Sequence, residues 1–151
     1  MKILMVCLGN ICRSPLAHGI MESLVKRDNL DWVIDSAGTG DWHVGQAPDE
    51  RSIAVAKRHG IDIANQRAQL FQVKFFDTFD RILVMDRNNL EAVRRLARNQ
   101  DDLDKIALFL PNDIVPDPYT DSSQFTPVYE LIADRCEELL DELKKGIYAG
   151  S

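Results

Sequence analysis

The sequence has 151 residues, 45% of them hydrophobic and 28% charged, a composition typical of one globular domain. Acidic residues outnumber basic ones by 24 to 18, and the net charge of −6 disfavours sequence-independent binding of nucleic acid, which needs a positive surface. Three cysteines are too few for a disulfide framework, and no apolar stretch approaches the length of a membrane span. We therefore expect a cytoplasmic protein with one domain, residues 1–151, and no membrane or nucleic-acid partner.

Strands and helices are predicted in alternation along the chain, from continuous apolar runs and from apolar residues at helical spacing. In chain order, the predicted elements are a strand at 2–7, a helix from Ser14, a strand at 32–36, a helix at 49–58, a strand at 81–85, a helix opened by Asp86, a strand at 105–108 and a long helix from Pro127. Strands separated by helices form parallel sheets. The sequence therefore predicts a single-domain α/β fold, with a four-stranded parallel sheet and helices on both faces.

The loop after the first strand lies at the carboxyl edge of the predicted sheet, where such folds bind ligands. It begins with Cys7 and carries Arg13 six positions later, and a helix starts immediately after it. Gly9 and Asn10 tolerate the left-handed backbone conformation that a tightly curled loop requires. Curled at a helix N-terminus, the backbone N–H groups form an anion cradle. The predicted phosphate-binding residues are Leu8, Gly9, Asn10, Ile11, Cys12, Arg13 and Ser14.

The residue types in this loop favour covalent phosphoryl transfer. Arg13 can hold two phosphate oxygens with its planar guanidinium group. The positive field of the loop favours the thiolate of Cys7, and a thiolate that faces bound phosphate is a nucleophile aimed at phosphorus. Ser14 can donate its hydroxyl to the sulfur, ease its departure in a second step, and also cap the helix. A buried, inert thiol is the alternative for Cys7, and the adjacent Arg13 and helix start disfavour it.

A second motif, Asp117-Pro118-Tyr119, supplies an acid. The leaving oxygen of a phosphate monoester is poor unless it is protonated, and a positioned acid accelerates such a step by about 100- to 10,000-fold. Pro116 and Pro118 flank Asp117 and restrict its backbone, which helps to aim the carboxyl group. Alone, the Asp-Pro pair would indicate only a turn. Together with the cysteine loop, it predicts Asp117 as the general acid, so the predicted catalytic residues are Cys7, Arg13 and Asp117.

The run from Val6 to Pro15, V-C-L-G-N-I-C-R-S-P, resembles the signature loop of the low-molecular-weight protein tyrosine phosphatases. That family carries this loop at its N-terminus and an Asp-Pro-Tyr motif near its C-terminus, where Asp117-Pro118-Tyr119 stands here. The resemblance implies hydrolysis of phosphotyrosine proteins or small aryl phosphates through a cysteinyl-phosphate, without metal or other cofactor, by a monomer or weak dimer. It also implies that Trp42 and Tyr119 form the walls of the substrate pocket.

The resemblance implies roles for three further residues. Asp86 and Asn89 hydrogen-bond to the curled loop and hold its shape. Cys12 is the family's second loop cysteine and acts as redox partner of Cys7: a reversible disulfide between them would switch the activity off and protect Cys7 from further oxidation. The three histidines lack the spacing of metal ligands, so no metal site is expected.

Three other functions fit parts of this pattern. A thioredoxin-coupled arsenate reductase needs two further cysteines near the third strand, and residues 81–96 contain none. A protein arginine phosphatase of the same family typically carries Thr where this chain has Ile11, and the larger side chain favours phosphotyrosine. A non-hydrolytic phosphocarrier or phosphate-binding module must keep phosphocysteine from water, which the combination of Arg13 and Asp117 disfavours. The arginine phosphatase and the phosphate-binding module stay open as alternatives.

Overall fold

The computed structural model describes residues 1–146, so the last five residues of the expected domain lie outside the described residues. The strands are β1 Lys2–Cys7, β2 Val33–Gly38, β3 Arg81–Val84 and β4 Ile106–Leu108. The helices of the described part are α1 Arg13–Arg27, α2 Glu50–Arg58, α3 Phe75–Thr78, α4 Arg87–Arg94, α5 Gln100–Asp104 and α6 Phe125–Lys144, with a 3₁₀ turn at Ser122–Gln124. All strand pairs are parallel, in the order β2-β1-β3-β4, which confirms the predicted fold class.

Helices cover both faces of the sheet, and β1 shows why. Ile3 and Met5 pack on one side with α1 and α6, whereas Leu4 and Val6 pack on the other side with α3 and α4. All four side chains are fully buried. A strand that is buried on both faces has to be apolar at every buried position, and this is why residues 3–7 form a continuous apolar run after the exposed Lys2.

The same strand fixes the position of the loop that follows it. β1 pairs with β2 as far as Cys7 opposite Gly38, and with β3 as far as Val6 opposite Val84. Cys7 is therefore the last residue of a central strand, and only residues 8–12 separate it from α1. This arrangement places the loop at the carboxyl edge of the sheet, as predicted.

The helix boundaries differ from the predicted ones by one or two residues. Asp49 and Asp86 precede α2 and α4 as N-caps, since their carboxylates accept the backbone N–H of Arg51 and of Asn89. α6 begins at Phe125, so Pro127 lies inside its first turn, where a missing N–H costs no hydrogen bond. Three elements were not predicted, namely α3, α5 and the 3₁₀ turn, because each is too short to show a helical period. None of the helices described here has the length and apolarity needed to cross a membrane.

Candidate active site

The loop between β1 and α1 turns at Asn10, which has a positive φ of 56°. Asn tolerates this left-handed conformation better than most residues. Gly9, which tolerates it as well, does not adopt it, because its φ lies outside the left-handed region. Gly9 is closely packed instead: a Cβ at this position would lie 3.1 Å from Cδ2 of His43 and would press on the imidazole ring.

The buried side chain of Asn10 holds the loop together through three hydrogen bonds. Its Oδ1 accepts the backbone N–H of Gln69 at 3.0 Å, which fixes the orientation of the amide. Its Nδ2 donates to the hydroxyl oxygens of Ser14 at 2.8 Å and Ser36 at 3.0 Å. Both amide hydrogens are thus used, and the hydroxyl of Ser14 accepts one of them.

Cys7 and Ser14 face each other at the base of the loop. The Sγ of Cys7 lies 3.0 Å from the Oγ of Ser14. This Oγ accepts a hydrogen bond from Asn10 and keeps its own proton, which it can donate to the sulfur. The expected capping role is wrong, since Cys12 is the N-cap of α1 and no side chain caps it.

Arg13 lies beside Cys7, and its guanidinium group is held by hydrogen bonds to Asp86 and Val115. Its Nη1 donates to Oδ2 of Asp86 at 2.7 Å and to the carbonyl of Val115 at 3.0 Å. Only 3% of the side chain is exposed. Burial opposes the charged form, yet the pKa of Arg13 is raised, because Cys7 and Asp86 stabilise the cation. The anchor presents a fixed positive charge next to the sulfur.

Asp117 lies near the guanidinium group of Arg13. Its Oδ2 lies 3.8 Å from Nη2 of Arg13, and its Oδ1 accepts the backbone N–H of Tyr119 at 3.1 Å. The carboxyl group is 45% exposed, so proton exchange with water is open to it. The two motifs, distant in sequence, therefore meet at one cleft.

The cleft encloses about 150 Å³. Most of the residues that the sequence analysis predicted for the site line this cleft. The lining residues are Cys7, Leu8, Gly9, Ile11, Cys12, Arg13, Trp42, His43, Asp117 and Tyr119. Asn10 and Ser14 lie behind this surface, where they brace the loop rather than face the cleft.

Trp42 and Tyr119 stand at the rim of the cleft, 67% and 47% exposed. The indole of Trp42 lies directly over Gly40, where a Cβ would overlap the ring. His43 follows Trp42 in the chain, with its ring centroid 6.3 Å from that of Tyr119 and its Nδ1 2.9 Å from Oε1 of Gln46. The rim is therefore apolar and aromatic, whereas the floor is charged.

The expectations for Asp86 and Asn89 have different outcomes. Asp86 contacts the loop through Arg13, as described above. Asn89 does not: its side chain is buried, and its Oδ1 finds no hydrogen-bond partner among the described residues. Its backbone N–H is engaged, since it donates to the carboxylate of Asp86. The amide that shapes the loop is that of Asn10.

Several residues that support the loop lie outside both motifs. Ser36 and Gln69 contact Asn10, and Val115 contacts Arg13. Gly38 allows the loop to lie against β2, because a Cβ there would lie 2.8 Å from the carbonyl oxygen of Leu8. These residues come from distant parts of the sequence. Only the strand register brings them together, and no local pattern marks them.

Cys12 lines the cleft but is buried, and the pKa of its thiol differs from that of an exposed thiol. Burial, together with the negative charges of Asp49, Cys7 and Asp117, raises its pKa to about 12. At neutral pH it is therefore a protonated thiol. Cys7, Cys12 and Cys136 are all free of disulfide bonds in the structure.

Comparisons with known proteins agree with this geometry. Residues 2–148 match the family model described as low molecular weight phosphotyrosine protein phosphatase. A relative of that name from Sus scrofa is 38% identical over 152 residues, covering 95% of this chain and 96% of the relative. The crystal structure of a protein tyrosine phosphatase from Entamoeba histolytica superposes with a TM-score of 0.90 at 34% identity, over 97% of this chain and 98% of that one.

A second solved structure is similar as well. The Drosophila arginine phosphatase superposes with a TM-score of 0.88 at 35% identity, covering 95% of this chain and 98% of that chain. The family model spans nearly the whole sequence, and the cysteine loop and the Asp-Pro-Tyr motif meet at one cleft. The chain belongs to the family of low molecular weight protein tyrosine phosphatases.

Proposed function

We propose that this phosphatase hydrolyses phosphotyrosine in proteins, and small aryl phosphates, through a covalent phosphate on Cys7. The observation that carries the proposal is the position of the Cys7 sulfur. It lies at the floor of the cleft, hydrogen-bonded to Ser14 and flanked by the anchored charge of Arg13. A thiolate in such a place is held where the phosphorus of a bound monoester would sit.

In the first step, the sulfur of Cys7 attacks phosphorus, and the bond from phosphorus to the ester oxygen breaks. The proton of Asp117 passes to the leaving oxygen, so that a phenol leaves instead of a phenoxide. Arg13 and the inward N–H groups of the loop hold the phosphate oxygens. The 3.8 Å separation between Asp117 and Arg13 supports these two roles, because both groups reach the same small cleft.

In the second step, water attacks the cysteinyl-phosphate and the sulfur–phosphorus bond breaks. Asp117, now a carboxylate, takes a proton from the attacking water, and inorganic phosphate leaves. The sulfur departs as a thiolate, which the hydroxyl of Ser14 stabilises by donating its hydrogen bond at 3.0 Å. The enzyme returns to its starting state without a metal or organic cofactor.

The rim of the cleft favours a flat aromatic substrate. Trp42 and Tyr119 can contact both sides of a phenyl ring that carries its phosphate to the floor. Ile11, which is buried and lines the cleft, occupies the position that is typically Thr in arginine phosphatases, and its bulk disfavours a planar guanidinium group. The similarity to the Drosophila arginine phosphatase keeps phosphoarginine as the second candidate substrate.

We also propose that Cys12 protects Cys7 during oxidation. An oxidant such as hydrogen peroxide converts the Cys7 thiolate to a sulfenic acid. The thiol of Cys12 then attacks this sulfur, a disulfide forms and water leaves; a cellular thiol reduces the disulfide again. Such a cycle, and a nucleophile that has to stay reduced, suit the cytoplasm.

The decisive experiment measures phosphate release from a phosphotyrosine peptide in excess EDTA, with a phosphoarginine peptide in parallel and Cys7→Ser as the control. We expect rapid, Cys7-dependent release from phosphotyrosine. A preference for phosphoarginine would keep the mechanism and change the substrate. Phosphate binding without release from either peptide would instead favour the non-hydrolytic module.

A further inference from the structure

The segment that carries the general acid has little structure of its own. Residues 114–118 belong to neither helix nor strand, and both Asp117 and Tyr119 are about half exposed. A general acid has to be held within hydrogen-bond reach of the leaving oxygen to be effective. The N-terminal side of Asp117 is fixed by Val115, which donates its backbone N–H to the carbonyl of Met85 at 2.8 Å and accepts a hydrogen bond from Arg13. The C-terminal side needs a second anchor to hold the carboxyl group over Cys7.

Arg51, in the first turn of α2, makes the contacts that do so. Its Nη2 donates to the carbonyl oxygen of Tyr119 at 2.9 Å, and its Nη1 donates to the hydroxyl of Ser122 at 2.9 Å. These two acceptors lie on the acid segment and on the 3₁₀ turn that follows it. One guanidinium group thus holds the segment on the C-terminal side of Asp117.

The guanidinium group is itself held by Asp49. Nε and Nη2 of Arg51 donate to the two carboxylate oxygens of Asp49 at 2.9 and 2.8 Å, a bidentate pair. The hydrogen bonds from Arg51 hold the pKa of Asp49 below its usual range, although partial burial opposes this. Asp49 in turn donates its backbone N–H to the carbonyl of Ile11 at 2.8 Å. The anchor therefore reaches the phosphate loop.

Aromatic rings fix the plane of the same group. Its central carbon lies 4.4 Å from the ring centroid of Phe125 and 5.7 Å from that of Tyr119. Cation–π contacts of this kind add to the hydrogen bonds and restrict the rotamer of Arg51. Arg51 is not among the residues that line the cleft, so it is not placed to hold the substrate's phosphate.

We infer that Arg51 is a positioning residue for the general acid, because it joins the phosphate loop, through Asp49, to the segment Asp117–Tyr119. This inference rests on the proposed role of Asp117. Its function is to fix the distance between the acid and the leaving oxygen, and to set one aromatic wall at the same time. A lysine cannot replace it, since an ammonium group lacks the planar fork that bonds Asp49, Tyr119 and Ser122 together.

The test compares substrates that need the acid with substrates that do not. We would measure kcat/KM of Arg51→Gln and Arg51→Lys for phenyl phosphate and for p-nitrophenyl phosphate, whose leaving group departs more readily. Both variants are expected to lose about tenfold more activity on phenyl phosphate than on p-nitrophenyl phosphate, as a displaced acid would. In combination with Asp117→Asn, Arg51→Gln is expected to cause no further loss on phenyl phosphate.

Arg58→Gln is the matched control. Arg58 lies on the same helix, is exposed, and donates to Thr126 of α6 at 3.3 Å, away from the acid segment. Its ratio of activities on the two substrates should equal that of the wild type. Inhibition by orthovanadate reports on the phosphate loop, and its inhibition constant should be unchanged in the Arg51 variants.

Three results would overturn the inference: equal losses on both substrates, losses that multiply with that of Asp117→Asn, or a loss of vanadate binding. The last would mean that Arg51 supports the phosphate loop rather than the acid. A failure of the proposed function would give a different result from these three, because the wild-type protein would then release no phosphate from either substrate.

Discussion

The Nη1 of Arg13 lies 2.7 Å from Oδ2 of Asp86, and this ion pair ties the phosphate loop to the start of α4. The other oxygen of the same carboxylate accepts the backbone N–H of Asn89 and caps the helix. Asp86 thus neutralises a buried cation and also caps the N-terminus of α4. The arginine is held in place before any phosphate arrives, so binding does not have to order it.

Replacing Asp86 with Asn separates these two functions. The amide oxygen can still cap α4, whereas the charge opposite the buried guanidinium group is lost. We expect the free energy of unfolding to fall by about 2–3 kcal/mol, because a buried cation would lose its counter-ion. Urea denaturation measures this, with Asp134→Asn on the exposed face of α6 as the control. A variant as stable as the wild type would contradict the importance of the pair.

Asn10→Gly tests the amide that shapes the loop. Glycine keeps the left-handed backbone without steric strain but removes three hydrogen bonds, and we expect a loss of about 1–3 kcal/mol of stability. Alkylation of Cys7 by iodoacetamide should also slow, because the hydroxyl of Ser14 is no longer directed to the sulfur. Asn112 has a similar φ of 60° and is exposed, so Asn112→Gly is the control for the backbone alone. Equal effects of the two substitutions would mean that the Asn10 side chain is unimportant.

Gly40→Ala tests the rim without touching the chemistry. The added methyl group displaces the indole of Trp42, which is exposed and free to swing outward. Stability should change by less than about 0.5 kcal/mol, whereas KM for aryl phosphates should rise. The fluorescence of Trp42, observed in a Trp32→Phe background, reports the displacement. An unchanged KM with a displaced indole would remove Trp42 from the substrate pocket.

Asp117→Ala tests the acid itself. On phenyl or alkyl phosphates, kcat/KM should fall by about 100-fold or more, with a smaller loss on substrates whose leaving groups need no proton. Binding of orthovanadate should persist, since Cys7 and Arg13 are untouched. Wild-type activity of this variant on phenyl phosphate would show that another group protonates the leaving oxygen.

The raised pKa of Cys12 gives a prediction for stability against pH. Because the folded protein holds this thiol protonated up to a pH of about 12, against 9.0 for an ordinary thiol, folding favours the neutral form. The contribution is complete below pH 9.0 and is lost as the pH rises towards 12. We therefore expect the stability of the wild type to decline over this range more steeply than that of Cys12→Ser, as measured by denaturation at fixed pH.

The same thiol is expected to decide the product of oxidation. After mild peroxide treatment, mass spectrometry should find a disulfide between Cys7 and Cys12 in the wild type. In Cys12→Ser, Cys7 should proceed to sulfinic acid, and activity should no longer return with dithiothreitol. Sulfinic acid at Cys7 in the wild type, with no internal disulfide, would contradict the protective role.

The sequence predicted the parts of the molecule that local patterns encode. The apolar run of β1 followed by a Cys-to-Arg loop located the floor of the cleft, and the Asp-Pro-Tyr motif located Asp117 and Tyr119 beside it. It did not distinguish Gly9 from Asn10 as the residue in the left-handed conformation, because both types tolerate it. The side chain of Asn10 is held by Ser36 and Gln69, which reach it from distant parts of the chain.

Arg51 illustrates a second limit. In the sequence it is one arginine in the first turn of an amphipathic helix, where a basic side chain is unremarkable. Its partners Tyr119 and Ser122 are about 70 residues away, and they reach it only because the acid segment packs against the start of α2. Contacts of this kind depend on the tertiary fold, so no spacing along the chain predicts them.

Cys7 ends a strand that pairs with a neighbour on each side, and this affects which parts of the enzyme can change in evolution. Strand pairs on both sides fix the end of β1, so the reacting sulfur cannot shift without breaking the sheet. Trp42 and Tyr119 lie on exposed segments outside any strand, where loops vary more readily than the elements they connect. With Trp42 and Tyr119 as the proposed walls of the substrate pocket, mutation at the rim would change substrate preference while the hydrolytic reaction stays intact.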